Sequence, residues 1–298
     1  MPSRNDGSAR SKLGNIVMLD RPLQLSPSPM RPDDVKKLVA MARSVVGITI
    51  DERKADFLAG RLGRRLVSTG LTNYADYCRL LQTSAAERTA FGEALTTHTT
   101  SFFRERSQYD WLLEKGLADM TEGRDTREMV VWSAACSTGQ EGYTALMVLH
   151  QARDRGLRGL APRLIGTDIS RPVVQRAKTA VYSKQEIEGI PIELRRRFLL
   201  SSKSTDGVYR IVPELRDQAI WRQANLASGE GLDGISADIV FLRNVLIYFD
   251  EEIRGRVIEN VYRRLRPGGV LMTGHTEASH ARRDGLELVQ PSIYRKVK

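Results

Sequence analysis

Asp168 closes an apolar stretch, Leu164–Asp168, that follows a loop of small residues, Ser133–Gly139, and a helical segment, Glu141–Gln151. An acid at the carboxyl end of a strand can accept both hydroxyls of a ribose. A small-residue loop lets backbone approach a ligand, and the helix behind it offers unpaired N–H groups. With the apolar strand Met129–Trp132 ahead of the loop, these segments make a nucleotide-handling βαβ unit. The loop Ala134-Ala135-Cys136-Ser137-Thr138-Gly139 has a single glycine, so it is not GxGxxG, and no Gly-Lys-Ser/Thr follows it. A pyrophosphate needs several glycines for close backbone approach. An adenosine ligand without phosphates fits better, and S-adenosylmethionine is one. The plain alternative is an ordinary βα turn, with Asp168 as a solvated strand end or helix cap.

Two further segments offer polar groups at strand ends. Arg243-Asn244-Val245-Leu246-Ile247-Tyr248-Phe249 follows the apolar strand Ala237–Leu242, at the carboxyl edge where open α/β folds bind ligands. Asn244 could pair with adenine or with the amino-acid part of a cofactor. Tyr248 offers a hydroxyl, or simply packs at a helix start. Asn225-Leu226 ends another strand at the same edge, and its amide could meet an adenine amine. The run Thr96–Glu105 reads by itself as a polar linker before two aromatics and an arginine.

The elements that must position these residues are legible from periodicity and punctuation. Residues 1–30, rich in Ser, Pro and Arg, read as a flexible tail. Asp33 is the expected N-cap of a first helix, with Val35, Leu38, Val39 and Ala42 at helical spacing. A second helix runs from Asp51 to Val67, stops at Gly70 and carries a Leu58, Leu62, Leu66 stripe. Asn73–Gln82 and Ala85–Leu95 complete a helical domain over 31–95. Residues 107–122 form another helix. Ser170-Arg171-Pro172 opens one that runs to about Ala180. Phe198–Ser201, Val208–Val212 and Ala219–Gln223 read as short strands of a small antiparallel insert, at about 197–223, in an α/β domain spanning 96–298. Glu251–Leu265 is a helix, Arg266–Gly269 a turn into the strand Val270–Thr273, and the last strand lies near Ser292–Lys296.

Composition narrows the class. A chain of 298 residues accommodates about two domains with a full core. Its net charge of +10 favours acidic partners or a merely soluble basic surface. With only Cys78 and Cys136, and no CxxC pair, disulfide scaffolds and cysteine zinc sites are not expected, and a reducing compartment is. Ile16–Leu19 is too short for a signal peptide, and Ile239–Phe249 is broken by Arg243 and Asn244, so a cytoplasmic protein without membrane insertion is expected.

Five segments, taken together, resemble one family. Thr96–Glu105, Trp132–Tyr143, Gly166–Ile169, Arg243–Asp250 and Gly274-His275-Thr276-Glu277 are similar, in order and spacing, to the motifs of CheR-type chemoreceptor glutamate methyltransferases. The resemblance runs from about residue 35 to the C-terminus. It implies a Rossmann-like S-adenosylmethionine-dependent methyltransferase domain with a small antiparallel β-subdomain, preceded by a small all-α domain. It implies S-adenosylmethionine as methyl donor, S-adenosylhomocysteine as product, and no metal. Thr100 and Arg104 match cofactor contacts, Arg104 also facing the reacting centre. Glu141 matches the acid that binds the cofactor's amino group, and Asp168 the ribose reader. Asn225, Leu226, Arg243 and Asn244 match the remaining cofactor shell, and Tyr248 the tyrosine beside the methyl acceptor. Arg53, Arg61, Arg64 and Arg65 lie in the helix that resembles the family's receptor-facing basic helix. The β-subdomain docks a receptor's C-terminal peptide in some members.

Three positions depart from the pattern. His98 replaces an asparagine that contacts the cofactor, Gln140 replaces an acid beside Glu141, and Gly142 replaces a proline, which should loosen the first helical turn. The resemblance implies a monomer that methylates the cytoplasmic helices of methyl-accepting chemoreceptors, for sensory adaptation within receptor arrays. The rival readings are a nucleic-acid methyltransferase, a non-catalytic S-adenosylmethionine sensor and a small-molecule methyltransferase. No basic patch interleaved with aromatics supports the first.

Overall fold

Periodic apolar residues at the start of the chain gather four helices around one core. The computed structural model describes residues 28–96, 98–122 and 127–297. Residues 1–27 of the expected tail, and Thr97 of the polar run, lie outside these described residues. The helices are α1 (Pro32–Val46), α2 (Ala55–Thr69), α3 (Tyr74–Thr83) and α4 (Ala85–Leu95). Leu38, Leu58, Leu62, Leu66, Tyr77 and Phe91 interlock between them, each inaccessible to solvent. On α2, about one turn separates Leu58, Leu62 and Leu66, so they line one apolar face of that helix. Asp33 is not the cap expected of it. Pro32, whose fixed φ suits the first helical position, starts α1, so Arg31 takes the cap position and Asp34 accepts its backbone N–H at 3.4 Å.

The remaining chain builds ten strands: β1 (Arg127–Ser133), β2 (Leu160–Asp168), β3 (Val181–Ser183), β4 (Leu199–Ser201), β5 (Val208–Ile211), β6 (Ala219–Gln223), β7 (Ala237–Leu242), β8 (Leu265–Thr273), β9 (Leu286–Gln290) and β10 (Ile293–Lys296). The helices of this part are α5 (Arg106–Trp111), α6 (Leu117–Thr121), α7 (Gln140–Asp154), α8 (Arg171–Thr179), α9 (Ile192–Phe198), α10 (Pro213–Arg216) and α11 (Glu251–Arg264). A π-helical turn, Leu112–Gly116, joins α5 to α6. Seven strands form one sheet in the order β6-β2-β1-β7-β8-β10-β9, parallel from β6 to β8, with β10 antiparallel to both its neighbours. From β1 the chain winds outward through β2 to β6, then returns to β7 on the other side. That reversal opens a crevice at the carboxyl ends of β1 and β7, where such sheets bind ligands.

The small sheet differs from the expected one. Its order is β3-β5-β4, antiparallel, and Ala219–Gln223 is not part of it. That segment pairs parallel with β2 at the edge of the main sheet. Trp221 is the reason: it packs on Tyr143 of α7, 5.2 Å between ring centroids, and covers Gly166 of β2 so closely that a Cβ there would lie 2.1 Å from it. The third strand of the small sheet is instead Val181–Ser183, directly after the left-handed Ala180 that ends α8. The turn expected at 266–269 lies inside β8, as a shift of register against β7 between Ala237 and Ile239. Gly142, where a proline was expected, lies inside the first turn of α7. A Cβ at that position would meet Leu164 at 2.8 Å and Trp221 at 3.0 Å, so glycine lets helix and sheet approach closely. Among the described residues, no helix is long and apolar enough to cross a membrane.

Candidate active site

Segments that are far apart in sequence converge on one cleft at the sheet's carboxyl edge. Its walls include His98, Thr100, Arg104, Glu141, Asp168, Asn225, Leu226, Arg243, Asn244 and Tyr248. These are all ten residues singled out above for cofactor and catalysis. Val46, the last residue of α1, and Ile48 just after it close the cleft from the helical domain.

Asp168 is buried at the end of β2. One carboxylate oxygen accepts Ser137 N–H at 2.8 Å and the other Ser170 N–H at 3.0 Å. Burial pushes its carboxyl up from the ordinary range, against the pull of those two amides and of His98. Each oxygen keeps a lone pair, so a diol can still be bound in the bidentate fashion of a ribose reader. Ser137 adopts φ 48°, and its hydroxyl donates to His98 O at 3.0 Å, which ties the polar run 96–105 to the loop after β1.

Glu141, at the start of α7, accepts from Ser133 Oγ at 2.6 Å and from Arg243 Nε at 2.7 Å. The Arg243 side chain is only 1% exposed. Its other nitrogens reach Arg104 O at 2.7 Å, Gln108 Oε1 at 3.2 Å and Tyr109 OH at 2.9 Å. Its guanidinium also lies 5.1 Å from the ring centroids of Tyr109 and Phe241. Burial works against the charge, but Tyr109 and Glu141 outweigh it and keep the group firmly cationic. Arg243 borders the cleft, yet its polar atoms serve the protein: it orients Glu141 and holds the backbone of Arg104.

Asn244 turns the chain at φ 55° after β7. Glu277, fully buried and not among the predicted site residues, holds that turn. Its carboxylate accepts Asn244 N at 2.5 Å, Gly274 N at 3.1 Å and Ile247 N at 3.2 Å. One carboxylate thus clamps the loops after β7 and β8 together. Only the Gly-His-Thr-Glu run hinted at it, as part of a resemblance rather than as a role. Tyr248, in a short 3₁₀ turn, accepts Thr49 N–H on its carbonyl at 2.8 Å and packs against the core of the helical domain. Asn225 is also engaged by the protein: Oδ1 accepts Ala227 N at 2.9 Å, and Nδ2 reaches Val45 O at 3.4 Å. Leu226 supplies apolar wall. Arg104 is less constrained, with one guanidinium nitrogen donating to Thr99 O at 3.1 Å.

The basic helix divides unevenly. Arg65 turns inward to Glu87, which also accepts from Tyr77 OH at 2.8 Å, so Arg65 does not project to a partner as expected. Arg53 pairs with Asp51 but stays 90% exposed. Arg61 lies over Phe57, 5.3 Å from the ring, and donates to Thr96 O at 3.2 Å, at the rim of the cleft. Arg64 is exposed.

The donor set suits S-adenosylmethionine. A carboxylate stands for a ribose and a second for an ammonium, Ala134, Ala135, Leu226 and Val245 provide apolar wall, and the single-glycine loop lacks a phosphate cradle. Comparison with known proteins agrees. The CheR methyltransferase SAM-binding domain matches residues 98–294, and the CheR methyltransferase all-alpha domain matches residues 33–96. Chemotaxis protein methyltransferase 2 of Pseudomonas aeruginosa is 34% identical over 255 residues, covering 83% of this chain and 89% of that protein. The chemotaxis protein methyltransferase of Escherichia coli is 33% identical, covering 78% and 79%. That of Borreliella burgdorferi is 28% identical, covering 89% and 94%. The chain therefore belongs to the CheR methyltransferase family and is an S-adenosylmethionine-dependent methyltransferase.

Proposed function

We propose that this enzyme esterifies glutamate side chains on the cytoplasmic helices of methyl-accepting chemoreceptors. The observation that carries the reading is the convergence of Arg104 and Tyr248 on the cleft that also holds Glu141 and Asp168. S-adenosylmethionine, when bound, supplies an electrophilic methyl group on a sulfonium. An exposed glutamate has a pKa of about 4.3 and is already nucleophilic at neutral pH, so the chain needs no general base. It has to hold a carboxylate oxygen in line behind the methyl and keep water out. Arg104 orients the acceptor through charge-assisted hydrogen bonds, and Tyr248 donates to the carboxylate. Glu141 and Asp168 hold the two ends of the cofactor, with Arg243 and Ser137 fixing them.

Transfer of labelled methyl to receptor-containing membranes of the source cell, followed by alkali, is expected to release labelled methanol. Label that survives alkali, or no label from protein that binds S-adenosylhomocysteine, would sink this reading. Receptor approach falls to the exposed basic surface of the helical domain. The double variant Arg53→Glu, Arg64→Glu should slow association about tenfold at low ionic strength, and the difference should shrink as salt rises. A salt-independent difference would remove the steering role. The three-stranded sheet, with Val181 and Leu200 exposed, is the surface for a receptor C-terminal peptide.

A further inference from the structure

Behind the cleft wall lies a buried amide that does not itself line the cleft. Gln108 of α5 is only 1% exposed. Its Nε2 donates to Thr273 O, at the end of β8, and to Ser292 Oγ, in the turn between β9 and β10, each at 2.8 Å. Its Oε1 accepts from an Arg243 terminal nitrogen at 3.2 Å. These partners fix which way the amide points, because a carbonyl only accepts and a guanidinium only donates. Gln108 therefore ties β8 and the β9–β10 turn to Arg243 in one orientation. A buried amide costs desolvation that an apolar side chain of the same volume avoids, so packing alone gives no reason for it.

The guanidinium of Arg243 is a planar fork, so holding one side of it aims the other. One terminal nitrogen is shared by Gln108 and Arg104 O, and the second meets Tyr109 OH. Tyr109, next to Gln108 on α5, is itself stacked on Phe241 with ring centroids 5.3 Å apart. The remaining donor, Nε, meets Glu141 at 2.7 Å. The adenosine end of the cleft is fixed by other groups: Asp168 accepts amides from Ser137 and Ser170. Loss of the Gln108 amide thus loosens one end of the cofactor seat and not the other.

We propose that Gln108 is a positioning residue for the amino-acid end of the methyl donor, acting through Arg243 on Glu141. In the reading above Glu141 meets the donor's ammonium, and the role of Gln108 depends on that reading. With the amide gone, the guanidinium plane can turn and its Nε–H leaves the Glu141 carboxylate less well aimed. A ligand that carries the ammonium then loses affinity. A ligand that stops at the thioether, with the same adenine and ribose, does not.

Calorimetric titration of the full chain with S-adenosylhomocysteine and with 5′-methylthioadenosine, which lacks the amino-acid tail, reads the two ends separately. Gln108→Met nearly keeps the side-chain volume and removes the amide. It should bind S-adenosylhomocysteine about five- to tenfold more weakly, and change 5′-methylthioadenosine by less than about twofold. Should that variant fail to fold, Ser292→Gly tests the same chain of contacts from its far end. Ser292 sits at φ 63°, which glycine adopts readily, so that change removes little but the hydroxyl that Gln108 meets. It should weaken S-adenosylhomocysteine about two- to threefold, again sparing the shorter ligand. Equal weakening of both ligands would make Gln108 a general support of the fold, and unchanged binding of both would detach it from the site. Either result overturns the positioning role. Glu141→Gln should show the same selective loss as Gln108→Met. A Glu141→Gln protein that binds S-adenosylhomocysteine as the wild type does would instead overturn the ammonium's seat at Glu141, and the route through Arg243 with it.

Discussion

Arg243→Ala should cost about 3–5 kcal/mol of stability and abolish binding of S-adenosylhomocysteine. The side chain is 1% exposed and serves four partners on three segments: Glu141, the Arg104 carbonyl, Gln108 and Tyr109. Among the described residues, truncation leaves the Glu141 carboxylate at the base of the cleft with only Ser133 Oγ as a hydrogen-bond partner. An uncompensated buried charge is the costly outcome, more so than the loss of the pair itself. Against a usual stability of about 5–15 kcal/mol this is a large fraction, and the thermal midpoint should drop by about 10 °C or more. The double variant Arg243→Met, Glu141→Gln removes both charges and should regain part of the loss, because no carboxylate is stranded. Chemical denaturation of the three proteins checks this. A single variant as stable as wild type, or a double variant no better than the single, would show that Glu141 does not depend on Arg243.

Arg243 also marks where a sequence stops being informative. The unit from β1 through α7 to β2 was legible because its signals are local: an apolar run, a small-residue loop, a helix and a closing acid. The partners of Arg243 are not local. Gln108 and Tyr109 come from α5, more than a hundred positions away, and nothing in either segment announces the other. For the same reason Ala219–Gln223 reads equally well as an insert strand or a sheet edge. Only the packing of Trp221 over Gly166 decides between them. Val181–Ser183 is too short to carry a strand pattern of its own. Arg65 looks like its exposed neighbours in sequence, but Glu87, on a different helix, draws it inward. Glu277 is a carboxylate after a strand, and its role depends on three amides from two loops, one of them at the left-handed Asn244. Residues that line the cleft were thus readable from motif and resemblance. Residues that hold those in place were not, because their partners are set by tertiary packing.

Arg104→Ala should lower turnover about a hundredfold while leaving the fold intact. The expectation follows from how loosely the guanidinium is held. Among the described residues, its guanidinium hydrogen-bonds only to Thr99 O, on an exposed residue, so truncation strands no buried group there and the thermal midpoint should shift by about 2 °C at most. Its backbone is anchored separately, by Arg243 on the carbonyl and by the left-handed residues Phe103 and Glu105 on either side, at φ 55° and 56°. The side chain is therefore delivered to the cleft by a rigid loop and left available there. An acceptor carboxylate that meets it gains direction as well as charge neutralisation. Too tight a pair would stabilise the ground state and slow attack, so positioning is the useful part of the interaction. Arg104→Lys then separates the two contributions. It restores a point charge without the planar fork, so it should recover receptor KM more than kcat. Steady-state kinetics at saturating S-adenosylmethionine, with receptor as the varied substrate, read both parameters. If Arg104→Ala keeps near-normal kcat and changes only KM, Arg104 recruits the receptor without aligning the reacting oxygen. Near-normal values of both would remove it from the reacting centre and leave that position to Tyr248.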